Sequence, residues 1–123
     1  MASIRGKDTA PEVLVRKMVR ALGFTFRTHA SELPGRPDIV LRSRRKTILV
    51  HGCFWHRHSC NLGKVFPETR ATFWRDKLLG NKERDARNLR TLRRLGWKVL
   101  VVWECQTKKP TRLMSRLAGF LRE

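Results

Sequence analysis

The distribution of cysteine and histidine is the feature that most constrains how this chain can fold. Two of its three cysteines and three of its four histidines lie within residues 51–60, and the third cysteine stands far along the chain. Three cysteines and one histidine make a ligand set: Cys53, His58, Cys60 and Cys105. Zinc prefers four tetrahedral ligands of this kind in structural sites. We therefore predict a structural zinc here, against the alternative of unligated buried thiols.

The segment 52–67, which holds most of this set, has weak periodicity and several turn residues. Because such a segment has little core of its own, we predict a loop whose order depends on zinc. Two histidines of the same stretch, His51 and His56, are then left over for chemistry.

The net charge limits the partners of this chain. It carries 28 lysines and arginines against 10 aspartates and glutamates, a formal net charge of +18 over 123 residues. Such a charge favours polyanions, above all nucleic acid. The length is that of one domain, and neither a membrane span of ~20 apolar residues nor a signal peptide is present. Because an odd number of cysteines suits metal binding in a reducing compartment, we predict an intracellular protein that binds nucleic acid.

Capping signals and periodicity predict the helices. The first begins at the capping box of residues 9–12 and ends at Gly23; the second covers 72–79 and 83–95, as one helix bent near Gly80 or as two; the last covers 111–121. Their inward positions are Val13, Leu14, Met18 and Leu22, then Leu89, Leu92 and Leu95, then Leu113, Leu117, Phe120 and Leu121.

Runs of apolar residues predict four strands, at 24–28, 38–41, 47–50 and 98–103. The basic turn at 42–45 joins the second and third as a hairpin. The fourth is too apolar for a solvated face, so we predict a central strand that carries Cys105 into the fold. Trp97 and Trp103 are assigned to the core, and His29 is assigned to the surface or a loop.

The hairpin brings a carboxylate to a histidine. Asp38 begins one strand and His51 ends the other, so we expect their side chains to converge at one end of a small sheet. Nucleases that use Mg²⁺ hold the ion with a carboxylate and backbone carbonyls, where it stabilises developing charge and activates water. Many carry Pro-Asp and then Asp/Glu-x-Lys on the next strand. Here Leu49 and His51 occupy the positions of that second carboxylate and of the lysine.

Six motifs in this order carry a specific resemblance over nearly the whole chain. They are Leu33–Asp38, His51–His56, Phe73-Trp74, Asn81 with Glu83–Asp85, Leu95–Trp97 and Val102–Cys105. Together they resemble the very short patch repair endonucleases. The resemblance implies an α/β, restriction-endonuclease-like fold of the PD-(D/E)xK type, with a small central mixed β-sheet flanked by helices and a zinc-stabilised loop.

The resemblance also implies the function. Members of this family nick one strand of DNA beside a T:G mismatch left by deamination of 5-methylcytosine, with catalytic Mg²⁺ and structural Zn²⁺. For this chain it implies a single domain over residues 1–123, a monomer that binds double-stranded DNA and no membrane. It further implies a location in the bacterial cytoplasm, associated with the nucleoid through DNA, and mismatch-repair factors as further partners.

The catalytic roles are carried over from the resemblance. Asp38 matches the Mg²⁺-binding aspartate, and the backbone carbonyl of Val50 matches a second protein ligand, although the family has threonine there. His56 matches the general base for the attacking water, and Asp85 the carboxylate that orients it. His51 matches a histidine near the scissile phosphate.

Further positions follow in the same way. Glu12 on the first helix matches another acidic residue near the site. The family's aromatic wedge maps to Phe54, Trp55 and Trp74, whose rings slide between base pairs where a mismatch lowers the cost of unstacking.

The N-terminal arm departs from the family. Relatives carry a longer arm that grips the minor groove, whereas here residues 1–7 precede the first helix, with Met1 and Ile4 as its remnant. We therefore expect DNA affinity and mismatch selectivity to be affected.

Two other functions stay open at this point: a related restriction or homing-type nuclease, and a noncatalytic, zinc-stabilised module that binds nucleic acid. Asp38 could be an ordinary turn aspartate, and Asp85 lies in a charge-rich helix where carboxylates often pair with arginine. A binding module has no need of Asp38, so Asp38→Ala separates it from an enzyme.

Overall fold

A computed structural model of the chain describes residues 9–123, except for the side chain of Leu62. The arm predicted at residues 1–7, with Met1 and Ile4, lies outside the described residues. The elements, in chain order, are α1 (Ala10–Ala21), β1 (Arg27–Thr28), β2 (Ile39–Leu41), β3 (Lys46–His51), α2 (Ala71–Arg94), β4 (Lys98–Trp103) and α3 (Pro110–Arg122). Short 3-10 turns cover Arg42–Arg44, Leu62–Lys64 and Glu104–Lys108.

The strands form one four-stranded mixed sheet in the order β1-β2-β3-β4. β1 and β2 pair antiparallel, β2 and β3 pair antiparallel as the predicted hairpin, and β3 and β4 pair parallel. Because β3 and β4 run side by side, His51 lies opposite Trp103 at their carboxyl ends. The α/β class and the mixed sheet are therefore confirmed.

Helices cover both faces of the sheet, since alternate strand residues belong to different buried clusters. Ile39, Ile48 and Val102 pack in one cluster with residues of α1 and α3. Val40 and Leu49 pack in the other with Leu92 of α2 and with Trp97, as predicted for that tryptophan. None of the helices in residues 9–123 is long and apolar enough to span a membrane.

Sequence signals account for the helix limits. The side chain of Thr9 caps α1 by accepting a hydrogen bond from the Glu12 backbone N–H at 3.4 Å. α2 runs without interruption through Gly80. The residues therefore form one helix, whereas the sequence pattern was compatible with one helix or two. Gly96 follows its end at φ 96°, a backbone conformation that glycine adopts without strain.

Three details of the sequence prediction are wrong. β4 stands at the end of the strand order of residues 9–123 and is not central. It is apolar because helices cover both faces of the sheet, and that burial does not require a strand on each side. Leu95 is 51% exposed because it follows the last residue of α2. Of the strand predicted at 24–28, the pair Arg27–Thr28 alone forms β-bridges, while Phe24 and Phe26 pack against the core.

Candidate catalytic pocket and metal centre

The four predicted zinc ligands lie together, and we call them the Cys/His cluster: Cys53, His58, Cys60 and Cys105. Their ligand atoms all lie within 4.8 Å of one another. His58 Nδ1 is 3.7 Å from Cys53 Sγ and 3.6 Å from Cys105 Sγ. A tetrahedron with metal–ligand distances of about 2.0–2.3 Å has edges of about 3.6 Å, so the cluster has the spacing of a zinc site.

Neighbouring groups hold the Cys/His cluster in shape. The 3-10 turn after β4 places the Cys105 N–H against Cys53 Sγ at 3.4 Å, and Glu104 Oε1 accepts the Cys53 N–H at 3.2 Å. A Cβ on Gly63 would lie 1.9 Å from the carbonyl oxygen of His58, so the loop can close only over glycine. Burial raises the pKa of the Cys53 thiol to about 12, and a bound cation is the usual means of ionising such a thiol.

Trp103 belongs to this region and not to the apolar core, contrary to its prediction. Its ring stacks on the His58 ring with centroids 4.2 Å apart and an interplanar angle of 20°. It stands at the carboxyl end of β4, where the 52–67 loop covers the sheet. The contact depends on tertiary structure, which the apolar run 98–103 did not reveal.

Beside the Cys/His cluster is a cavity of about 630 Å³, here called the carboxylate pocket. Its lining includes the five predicted catalytic residues and the predicted Mg²⁺ ligand Val50: Glu12, Asp38, Val50, His51, His56 and Asp85. The structure thus brings together six residues that come from α1, β2 with its preceding loop, β3, the 52–67 loop and α2.

Asp38 lies at the base of the pocket. Its Oδ2 accepts a hydrogen bond from the Val50 N–H at 2.6 Å, which joins the two strands at the end where His51 stands. Burial, together with the neighbouring Glu12 carboxyl, raises the pKa of Asp38 to about 7, although the Val50 N–H and Arg16 oppose the shift. Two buried carboxyl groups that share one cavity are suited to a hard divalent cation.

A buried arginine supports the Glu12 side of the pocket. Arg16 Nη2 lies 3.3 Å from Glu12 Oε1 and 3.1 Å from His29 Nε2. His29, which the sequence assigned to the surface or a loop, is in a loop and lines the pocket. Sequence reasoning missed both residues. Arg16 could have been found, because it stands four positions after Glu12 and between the buried Val15 and Met18 of the same helix.

The histidines form a stacked pair. The rings of His51 and His56 are nearly parallel, at 5°, with centroids 3.9 Å apart. His56 Nδ1 contacts Asp85 Oδ2, so the carboxylate fixes the ring and leaves its other nitrogen for a proton. His51 Nδ1 is buried with no hydrogen-bond partner in residues 9–123. Burial, with the nearby His56, lowers the pKa of His51 to about 4, so this ring is neutral near pH 7.

Three aromatic residues predicted as the wedge also meet. Ring centroids are 5.2 Å apart for Phe54 and Trp55, 6.0 Å for Phe54 and Trp74, and 5.8 Å for Trp55 and Trp74. All three side chains are half-buried. Asn81 Nδ2 of α2 donates to the Trp55 carbonyl at 3.2 Å, which ties the loop to the helix. We call these three residues the aromatic wedge.

Comparison with known proteins gives consistent matches. The family model of DNA mismatch endonuclease Vsr matches residues 1–62. Type II nicking enzyme V.XorIIP of Xanthomonas oryzae pv. oryzae is 43% identical over 121 residues, 98% of this chain and 88% of the relative. Type II nicking enzyme V.NmeAIP of Neisseria meningitidis is 43% identical over 123 residues, 100% of this chain and 87% of the relative. DNA mismatch endonuclease Vsr of Escherichia coli is 48% identical over 105 residues, 85% of this chain and 67% of the relative.

Proposed function

The chain belongs to the family of DNA mismatch endonuclease Vsr, and from that premise we propose that it nicks one strand of DNA beside a T:G mismatch with the help of Mg²⁺. It is a DNA-nicking endonuclease of mismatch repair. The comparisons do not favour a restriction or homing-type nuclease or a noncatalytic binding module.

One observation carries the proposal: a histidine held by a carboxylate faces the same cavity as two buried carboxyl groups. In this proposal Asp38 and the Val50 carbonyl hold Mg²⁺, which supplies charge stabilisation at the scissile phosphate when bound. His56 takes a proton from the attacking water, and Asp85 holds the ring and stabilises its positive charge. A general base typically accelerates the catalysed reaction by about 10²–10⁴-fold.

The other pocket residues bind and orient the substrate. Neutral His51, stacked on His56, keeps the imidazole ring of His56 in one plane and contacts the phosphate. Glu12 lies next to Asp38 and offers a second carboxyl group at the cation site. Since Val50 offers a backbone group in this role, valine serves where the family has threonine.

The aromatic wedge and the Cys/His cluster act outside the chemistry. Phe54, Trp55 and Trp74 enter the base stack at the mismatch, where unstacking costs less than the few kcal/mol of sound duplex. Zinc, when bound by the Cys/His cluster, supplies the stiffness that the loop needs to hold these rings against DNA.

The wider assignments are part of the same proposal. Residues 1–123 form one domain of the PD-(D/E)xK type, supported by Asp38 and His51 at adjacent ends of β2 and β3. We propose a monomer that works on DNA in the bacterial cytoplasm, at the nucleoid, with other mismatch-repair factors as partners.

The direct test uses end-labelled duplexes of matched sequence that carry T:G, A:T or G:C at one position, with and without Mg²⁺. We expect a single nick in one strand of the T:G duplex with Mg²⁺ and intact strands elsewhere. Asp38→Ala should bind the T:G duplex and leave it intact. Wild-type protein that binds this duplex with Mg²⁺ and never cuts it would contradict the proposal.

A further inference from the structure

Next to the aromatic wedge is an exposed ring with two cations beside it. Phe66 is 39% exposed in the loop before α2. The guanidinium carbon of Arg57 lies 4.0 Å from its ring centroid, and that of Arg75 lies 5.5 Å away. We call Arg57, Phe66 and Arg75 the Phe66 group. None of the six family motifs includes Phe66 or either arginine.

Arg57 is fixed and links the Phe66 group to the aromatic wedge. Its Nη1 donates to the Val65 carbonyl at 2.7 Å and to the Phe54 carbonyl at 3.4 Å. The same guanidinium lies 5.7 Å from the ring centroid of Phe54. One arginine therefore contacts a wedge ring and Phe66, so a duplex opened by the wedge would meet the Phe66 group next.

An anion beside the ring would stabilise two like charges that lie against it. An exposed cation–π contact contributes only about 0.5–1 kcal/mol, while the two guanidiniums repel each other and the whole chain carries +18. Arginine can stack on an aromatic ring and still offer its planar edge to a phosphate. A base could not replace them without removing the guanidiniums from the ring. The arrangement is therefore suited to the phosphates of DNA and less to base stacking.

We propose that the Phe66 group is a second DNA contact beside the wedge, in which Arg57 and Arg75 bind backbone phosphates and the Phe66 ring holds the two guanidiniums in place. The proposal rests on the proposed function, because the wedge must first bring DNA to this surface. It adds a sequence-independent contact that strengthens binding around the mismatch.

The test is the salt dependence of binding to a T:G duplex without Mg²⁺, for wild type and Arg75→Gln. Arg75 is the cleaner arginine to change because it lies on the exposed side of α2, whereas Arg57 also supports the loop. Loss of one phosphate contact lowers the slope of log K against log salt by about 0.9. The matched control is Arg112→Gln on α3, an exposed arginine across the sheet, which should leave the slope unchanged.

The ring is tested by Phe66→Leu and Phe66→Tyr. Leucine keeps an apolar side chain but has no π face that positions the guanidiniums. We therefore expect Phe66→Leu to bind the T:G duplex about twofold to fivefold more weakly per lost cation–π contact. Phe66→Tyr should keep wild-type affinity for the duplex. Zinc content and thermal unfolding are measured on each variant, and Arg75→Gln provides the salt-slope result without changing a residue of the loop that contains Phe66.

Three outcomes overturn the proposal: an unchanged slope in Arg75→Gln, an equal fall in Arg112→Gln, or wild-type binding by Phe66→Leu. Nicking with Mg²⁺ is measured separately. If the wild type shows the expected slopes but never nicks, the nuclease function fails and the phosphate contact stands. If the wild type nicks the T:G duplex and Arg75→Gln keeps the wild-type slope, the nuclease function stands and the phosphate contact fails.

Discussion

The Cys/His cluster and the carboxylate pocket share residues 51–60 but differ in their donor atoms and surroundings. The cluster joins three sulfurs and one nitrogen within 4.8 Å, with the spacing of a closed tetrahedral site. The carboxylate pocket is a cavity of about 630 Å³, and carboxyl groups and two stacked imidazoles line it. Soft sulfur ligands select zinc, whereas oxygen ligands suit Mg²⁺. In the proposed function, one short segment therefore contributes to a structural site and to a catalytic site, through side chains of different chemistry.

The largest effect should come from removing a sulfur ligand. Cys105→Ser is expected to lose zinc and much of the order of the 52–67 loop, because structural zinc sites contribute apparent free energies of about 10 kcal/mol at neutral pH. Metal analysis and thermal unfolding followed by circular dichroism measure both effects. The distinction between the two sites breaks down if Cys105→Ser keeps one zinc per chain and wild-type stability.

Two histidines that are two positions apart, His56 and His58, provide a matched pair. His56→Ala should keep zinc and stability but slow nicking by about 10²–10⁴-fold, because it removes the proposed base. His58→Ala should lose zinc and melt at a lower temperature, because its Nδ1 lies between two sulfurs. Both are measured on one T:G duplex at saturating protein, together with zinc content. Loss of zinc from His56→Ala would mean that the histidines do not divide between two sites.

The sequence predicted most of this arrangement of side chains, because it depends on residue types close together in the chain. The ligands within residues 51–60 and the hairpin that joins Asp38 to His51 follow from spacing and strand pattern alone. Arg16 and His29 were missed because they meet only when α1 packs beside the loop before β2. The place of β4 at the end of the strand order and the stacking of Trp103 on His58 likewise depend on tertiary contacts.

The smallest predicted effect is a pH dependence confined to the pocket. The pKa of Asp38 is about 7 in the folded chain against an ordinary 3.8, so the folded state binds this proton more tightly than the unfolded state. Without Mg²⁺, its contribution to the free energy of unfolding is present at low pH and is lost as pH rises to about 7. The free energy of unfolding of the wild type, minus that of Asp38→Asn, should therefore fall by about 2 kcal/mol from pH 5 to pH 8 in urea unfolding. A difference that grows with pH contradicts the burial of this carboxyl.

The most direct measurement determines zinc content and Mg²⁺-dependent nicking on one preparation of Asp38→Asn. The amide has the size of the carboxyl group and can still accept the Val50 N–H, so the fold and the Cys/His cluster should be retained. We predict one zinc per chain, wild-type binding to a T:G duplex, and nicking slower by about 10³-fold, since a bound metal supplies several kcal/mol of charge stabilisation. Asp38→Asn protein that carries its zinc and nicks the duplex at the wild-type rate would contradict the account.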